Sequence, residues 1–526
     1  MFESLLLAVT IVAHDPGYTT SLANHVQRWL GEEQVPARVV TPAEMPAALK
    51  TEKIAFLVGF SAPSAAEMKT LRAYRARGGK LVVFHSPSAE LGRLMGVRPL
   101  GYASSPSPGH WSKMNFDVAV APKGCPQQIR QSSGGLERIA PVRGRGRTIA
   151  GWLDRRGKMT GDAAWVATDA GWWMSHVLLA EGDEDLKAQL CASMCGAVDA
   201  KLWTPAVREA RERRRREQLT ALAAKQVSRK GEIRAVWDHS GQGLYPGDWG
   251  RTFRILKAAH VTDLFVNVAG AGFAHYPSSA LPRSKLFEQE GDQLTACLKA
   301  ARGTGVRVHA WVLCFTATRG TPETLADFAR KGWRLKNAKG VLTEYLDPSK
   351  AAVRGHVFAA LDELARVPGL SGVHLDFVRW YEGAKRPAGA EKIIAMFVAE
   401  ARRRVRKPLW LTAAVLGKYP ACVKSVGQDW PTWLDAGTVD YVVPMDYTDS
   451  AERFESYLTQ HAAKPAHARR TIAGIGVTAN ESRLDADKVI AQVLAARRKG
   501  LAGCALFDLD ATLEKRILPF LKMGVW

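Results

Sequence analysis

The chain has 526 residues, too many for one ordinary hydrophobic core, and 47% of them are hydrophobic, the balance of a globular protein rather than a disordered one. Its formal net charge is +22, yet no zinc-finger spacing, RNA-recognition signature or basic zipper accompanies that charge. Direct nucleic-acid binding is therefore not expected, and the basic balance points either to solvated helix faces or to an anionic glycan. The seven cysteines are scattered and odd in number, which argues against a disulfide framework, and no apolar run is long enough to span a membrane.

In chain order, residues 5–13 form an apolar run. Glu3 precedes it and no basic segment does, so it reads as a first strand and not as a signal peptide. A helix pattern follows with Leu22, Val26 and Leu30 on one face, then short strands at 37–40 and 53–59. Ser64 and Glu67 have capping-box spacing at the head of a helix that runs to Arg77, and Gly78 and Gly79 end it before a strand at 80–84. Alternating β and α elements with short Gly-rich connections predict a doubly wound α/β domain over 1–203. Between Gly101 and Trp173 the pattern weakens, and Trp111, Trp152, Trp165, Trp172 and Trp173 interrupt polar, Gly-rich segments without an assignable role. Residues 204–230 read as a charged, helical linker.

From Gly231 to the end a strand–helix alternation recurs. Eight candidate strands stand at 233–238, 263–268, 306–313, 372–377, 409–415, 439–446, 471–477 and 503–508, with helical patterns between them and a last helix at 511–521. Eight β-α units over 231–526 predict a (β/α)8 TIM barrel. The connections 241–248 and 269–288 are long and carry aromatic residues, as loops around a barrel mouth do.

Period-two alternation assigns faces. His374 and Asp376 share a face of the fourth strand, His309 and Trp311 of the third, Pro444 and Asp446 of the sixth. Asp238, Asn267 and Asp508 lie at or near the ends of the first, second and eighth strands. A mouth ringed by carboxylates and aromatic rings is what glycoside cleavage needs. One acid protonates the leaving oxygen, a second attacks the anomeric carbon or activates water, and rings hold the sugar. The His and Asp positions lack the compact spacing of metal motifs, so no cofactor is expected.

The barrel sequence resembles the glycosyl-hydrolase-like family 10 group, glycosidases built on a TIM barrel. The segments Phe273 to Ser278, Val308 to Trp311, Leu346 to Ser349, Gly372 to Arg379, and Gln428 to Trp433 leading into Val439 to Tyr447 carry the likeness. The family pattern around the fourth strand reads HLDYIRYP. Here Phe377 replaces the first Tyr and Trp380 the second, with no Pro after it. The resemblance implies a carbohydrate substrate and an extracytoplasmic location. Asp376 is then the first-choice catalytic carboxylate, with Arg379 favouring its ionised form as nucleophile or base. Asp446 is the expected general acid, and Asp238 and Asp508 are reserves. His309, Trp311, Asn267, Tyr276, His374 and Tyr447 are binding candidates. A non-catalytic glycan-binding protein on the same scaffold is the alternative. Over the first 200 residues, the run Arg77 to Phe84 resembles flavodoxin-like, class I glutamine-amidotransferase-like domains. Phe84 is followed by His85, Ser86, Pro87 and Ser88 with no nucleophilic Cys, so a docking or structural role is expected there and not amidotransfer.

Overall fold

The computed structural model describes residues 9–526 apart from Pro16 and Glu181, so residues 5–8 of the expected first strand lie outside the described residues. The chain divides into two compact units, Met1–Arg216 and Glu217–Trp526. The division falls inside one helix, Pro205–Ala224. In the first unit Arg211 of this helix donates to the carbonyls of Gln34, Lys201 and Leu202. Leu219 and Ala223, two turns on, belong to the core of the second unit.

The first unit is built on a nine-stranded sheet. Its parallel part runs in the order Ala37–Val40, Val9–Ala13, Ile54–Val58, Lys80–Phe84 and Gly171–Met174. The Ser64–Glu67 capping box is present, with each residue's side chain bonded to the other's backbone amide. Leu22, Val26 and Leu30 are buried, as their spacing predicts. The sheet then continues antiparallel through Met159–Thr168, Gly146–Leu153, Trp111–Phe116 and Gln128–Ser133. That half is where the sequence pattern weakens. Trp111, Trp152, Trp165 and Trp173 are buried side chains of this sheet, not loop residues.

The second unit is a closed barrel of eight parallel strands: Ile233–Asp238, Asp263–Gly270, Arg307–Leu313, Gly372–Asp376, Trp410–Leu416, Tyr441–Met445, Ile472–Gly476 and Gly503–Phe507. Each pairs with the next, and the first pairs with both the second and the eighth, which closes the ring. Every strand end lies within two residues of its expected place. Trp237, Phe265, Trp311, Val443, Ile472 and Ala505 fill the interior. The barrel is therefore a packed core and not a pore. Val236, Leu264, Val373, Leu411 and Val442 point the other way, into the helix layer. The expected last helix is instead a series of wide and ordinary turns from Leu513 to Val525. Among the described residues no helix is long and apolar enough to cross a membrane.

Candidate active site

Asp376 ends the fourth barrel strand and is 4% exposed. Three donors address its carboxylate. Trp311 Nε1 lies 3.2 Å from Oδ2, the Phe377 amide 2.6 Å from Oδ1, and an Arg379 guanidinium nitrogen 3.3 Å from Oδ1. The turn that does this is left-handed: Phe377 has φ +49°, an uncommon backbone state for a bulky residue. It folds the Phe377 amide back onto the carboxylate. The Arg379 guanidinium then lies over the Phe377 ring at 4.1 Å. Tyr345 stands 6.0 Å from the same ring and stacks on Tyr381 at 4.3 Å, which gives this side of the mouth a set of aromatic faces.

Asp508 follows the eighth strand. Its Oδ1 accepts the amides of His239 (3.0 Å) and Leu509 (2.7 Å). Burial pushes its carboxyl up to about 7 against those bonds, and Asp238 and Asp510 push in the same direction. His239 continues the rim. Its ring lies 5.7 Å from Trp311 and 6.0 Å from Phe507. Arg319 donates to His239 Nε2 (3.0 Å), to the His239 carbonyl (2.9 Å) and to Asn267 Oδ1 (3.0 Å). Desolvation, with the Arg319 charge beside it, holds the His239 imidazole well below its usual range. Tyr447 stacks on Phe507 at 5.4 Å and meets Trp237 edge-on at 6.4 Å. Burial raises its phenol, and Asp376, Asp508, Glu481 and Asp446 raise it further.

Other expected site residues are elsewhere. His374 sits one layer below the mouth, fully buried and stacked on Phe265 at 4.2 Å. Trp237 donates to its Nε2 (2.9 Å), so its Nδ1 carries the proton and donates to Thr412 Oγ1 (2.8 Å). Burial keeps it neutral. His309 lies toward the opposite end of the barrel, where its Nε2 meets Asp263 (2.8 Å) at the start of the second strand. Arg307 holds the same carboxylate through two bonds. Tyr276 points to the helix layer and donates to Glu363 of Ala351–Leu364 (3.2 Å). Asp238 follows the inward-facing Trp237 and turns back on its own loop, accepting from Ser240 Oγ (2.6 Å) and the amides of Gly241 and Gly243.

Asp446, expected at the mouth, faces the helix layer instead. Tyr441 and Val443 take the interior face and Val442 the outer one, so the strand's parity carries Pro444 and Asp446 outward. Asp446 is fully buried, with Oδ1 2.8 Å from His461 Nε2 of Ala451–His461 and Oδ2 without a partner. A Cβ at Gly417 would stand 2.2 Å from Oδ1, so this packing needs the glycine. Burial raises the Asp446 carboxyl against the opposing pull of His461.

The mouth thus joins Asp376, Asp508, Arg379, Trp311, Asn267 and Tyr447 from the expected set. It adds His239, Arg319, Phe507 and Tyr345, which sequence reasoning passed over. His239 and Phe507 each adjoin a strand-terminal aspartate, and that position was the available signal. Arg319, alone in the loop after the third strand, gave none. Trp430 and Trp433 are buried packing residues.

No family model and no curated protein matches this chain. Solved structures do. They include the PgaB (BpsB) glycoside hydrolase domain from Bordetella bronchiseptica, 14% identical over 55% of this chain and 98% of that one, with a TM-score of 0.45. A chitinase from Bacteroides thetaiotaomicron is 11% identical over 56% of this chain and 96% of that one, with a TM-score of 0.37. A ThuA-like protein from Bacteroides uniformis is 12% identical over 37% of this chain and 94% of that one, with a TM-score of 0.30. These likenesses carry no information on chemistry.

Proposed function

We propose that the protein is a glycoside hydrolase working at the C-terminal mouth of its barrel, with Asp376 and Asp508 as the carboxyl pair. The observation that carries the reading is electrostatic. Two carboxyls stand at the C-terminal ends of opposite strands of the ring, the fourth and the eighth, and their surroundings differ. Asp376 is met by three donors, one a guanidinium. Asp508 keeps its proton up to about pH 7. A carboxylate met by donors and a second carboxyl raised by burial suit the division into a base or nucleophile and a general acid. Asp446, with its carboxylate turned to His461, is not the acid in this scheme. Phe377, Tyr345, Tyr447 and Phe507, all partly exposed, supply the faces on which a pyranose ring packs. The barrel segments that resemble the glycosyl-hydrolase-like family 10 pattern lend the same reading support.

The first unit we take as a flavodoxin-like domain without catalysis. Its parallel strand order supports the first part. The second rests on Ser86, the residue nearest a nucleophile position, which is fully buried and spends its hydroxyl on the Phe60 carbonyl at 2.5 Å. Cys191 and Cys195 are buried, and burial raises both thiols.

The experiment is a polysaccharide panel assayed for new reducing ends, with Asp376→Asn beside the wild type. The variant is expected to lose about 10³-fold or more in rate while still binding the glycan. A wild type that binds glycans and cleaves none replaces hydrolysis with glycan binding on the same scaffold.

A further inference from the structure

Beside the mouth lies a cavity of about 300 Å³, between the connection after the second strand and the head of the helix Pro322–Arg330. It has the volume of a small-ligand pocket, enough for one sugar unit. Its charged lining is cationic: Arg283, Lys285 and Arg319. Phe273 provides an apolar wall, with the Arg319 guanidinium 5.7 Å from its ring.

None of these three cations forms an ion pair among the described residues. Elsewhere the barrel pairs some of its partly buried arginines, as in Arg307–Asp263, Arg379–Asp376 and Arg497–Glu232, while Arg334, Arg354 and Arg470 spend their guanidiniums on carbonyls. The carboxylates near the cavity act only at longer range. Glu323 senses Lys285, but its charge is first taken up by its own amide and by Thr321. Asp238 and Asp508 act on Arg319 and do not outweigh its desolvation. His275 adds a second signal. It is 5% exposed, lines the cavity, and its Nε2 has no partner. Its Nδ1 lies 2.6 Å from Ser284 Oγ, which already accepts the Phe287 amide at 2.9 Å. The Ser284 hydroxyl is thus free to donate to Nδ1, which leaves the Nε2 proton as an unused donor. Three like charges line one space with an apolar wall, and a buried N–H of a lining histidine is unspent. An anion is the ligand that suits both.

The position ties the cavity to the reaction. Arg319 holds both Asn267 and His239, the His239 ring faces Trp311, and Trp311 donates to Asp376. We infer that this cavity is a subsite for an anionic substituent, a carboxylate or a sulfate ester, on a sugar next to the bond that is cleaved. The substrate class is then an acidic polysaccharide. This rests on the hydrolase reading for the word substrate, but not for the binding itself.

Calorimetry tests it with an oligogalacturonate, an alginate oligomer and a sulfated galactan oligomer, each set against the neutral galactan oligomer. The full-length protein is compared with Arg283→Gln/Lys285→Gln, both exposed side chains whose replacement leaves the fold intact. Arg254→Gln/Lys257→Gln on the helix Trp249–Ala258 removes equal charge away from the cavity. The expected result is that at least one anionic oligomer binds on the order of tenfold tighter than the neutral one. The cavity variant loses that preference and the control keeps it. Which oligomers show the preference separates carboxylate from sulfate ester. Equal affinity for charged and neutral oligomers, or a preference that survives in the cavity variant, overturns the subsite. Binding is read without turnover, so a protein that cleaves nothing still answers this question.

Discussion

Asp508 and Asp446 show how little separates a reactive carboxyl from a structural one. Both are pushed up by burial. Asp508 is partly exposed at the mouth and has backbone amides for partners, whereas Asp446 is sealed against His461. Sequence placed both at strand ends and ranked Asp446 as the acid with Asp508 in reserve, because the phase that moves a side chain from one face to the other could not be read there. Asp376 was legible because a carboxylate and an arginine closing an apolar strand have few other uses. For Asp508 the sign of the pH effect follows from its shift. Its carboxyl moves from 3.8 up to about 7 on folding, so between those values the folded chain holds a proton that the unfolded chain has released. The resulting stability is fully present below 3.8 and is lost as pH rises toward 7. As general acid it also sets the alkaline limb of kcat/KM near pH 7. Urea melts across pH 4–8 and a pH–rate profile check both. Asp508→Asn is expected to abolish turnover and flatten that part of the stability profile, and an unchanged alkaline limb would remove Asp508 as the acid.

The connection after the second strand was expected to build the mouth, and part of it does something else. Glu363 on the helix Ala351–Leu364 collects five donors from it: the hydroxyls of Tyr276, Ser278 and Ser279 and the amides of Ser279 and Ala280. A single carboxylate thereby clasps the loop to the outer layer and fixes the path that leads to Arg283 and Lys285. Nothing in residue spacing announces such a clasp, since Glu363 reads as an ordinary polar helix position. Tyr276 reads as a binding candidate from sequence because aromatic loop residues near a mouth have two uses, and only the partner of the hydroxyl, here Glu363, tells them apart. Glu363→Ala leaves those donors without their acceptor and is expected to cost about 2–3 kcal/mol of barrel stability. Cleavage between residues 276 and 284 by a trace protease is expected to speed up in step. Unchanged denaturant midpoints with unchanged proteolysis would reduce the clasp to a surface contact.

At the scale of the molecule, the barrel was the legible half and the first sheet was not. Barrel strands are short, buried on both faces and punctuated by helices, so their boundaries stand out. The antiparallel part of the first unit carries breaks in register along Met159–Thr168 and in the pairing of Trp111–Phe116 with Gln128–Ser133. Such bulges destroy the alternation that would have revealed those strands, and left their buried tryptophans looking like loop residues. Ring closure has a chemical consequence as well. Strands four and eight face each other across eight, and a ring of strands about 4.8 Å apart tilted by about 36° is roughly 15 Å wide. The His239 and Leu509 amides hold the Asp508 carboxyl beside the eighth strand, so the pair comes no closer than the about 9 Å left when two aspartates each reach in by about 3 Å, the spacing of an inverting pair. Proton NMR within the first minutes of digestion is therefore expected to show product of the opposite anomeric configuration. Retained configuration, or a sugar trapped covalently on Asp376, would mean that the second carboxyl is closer than the eighth strand can bring it, and the pairing with Asp508 would have to be abandoned.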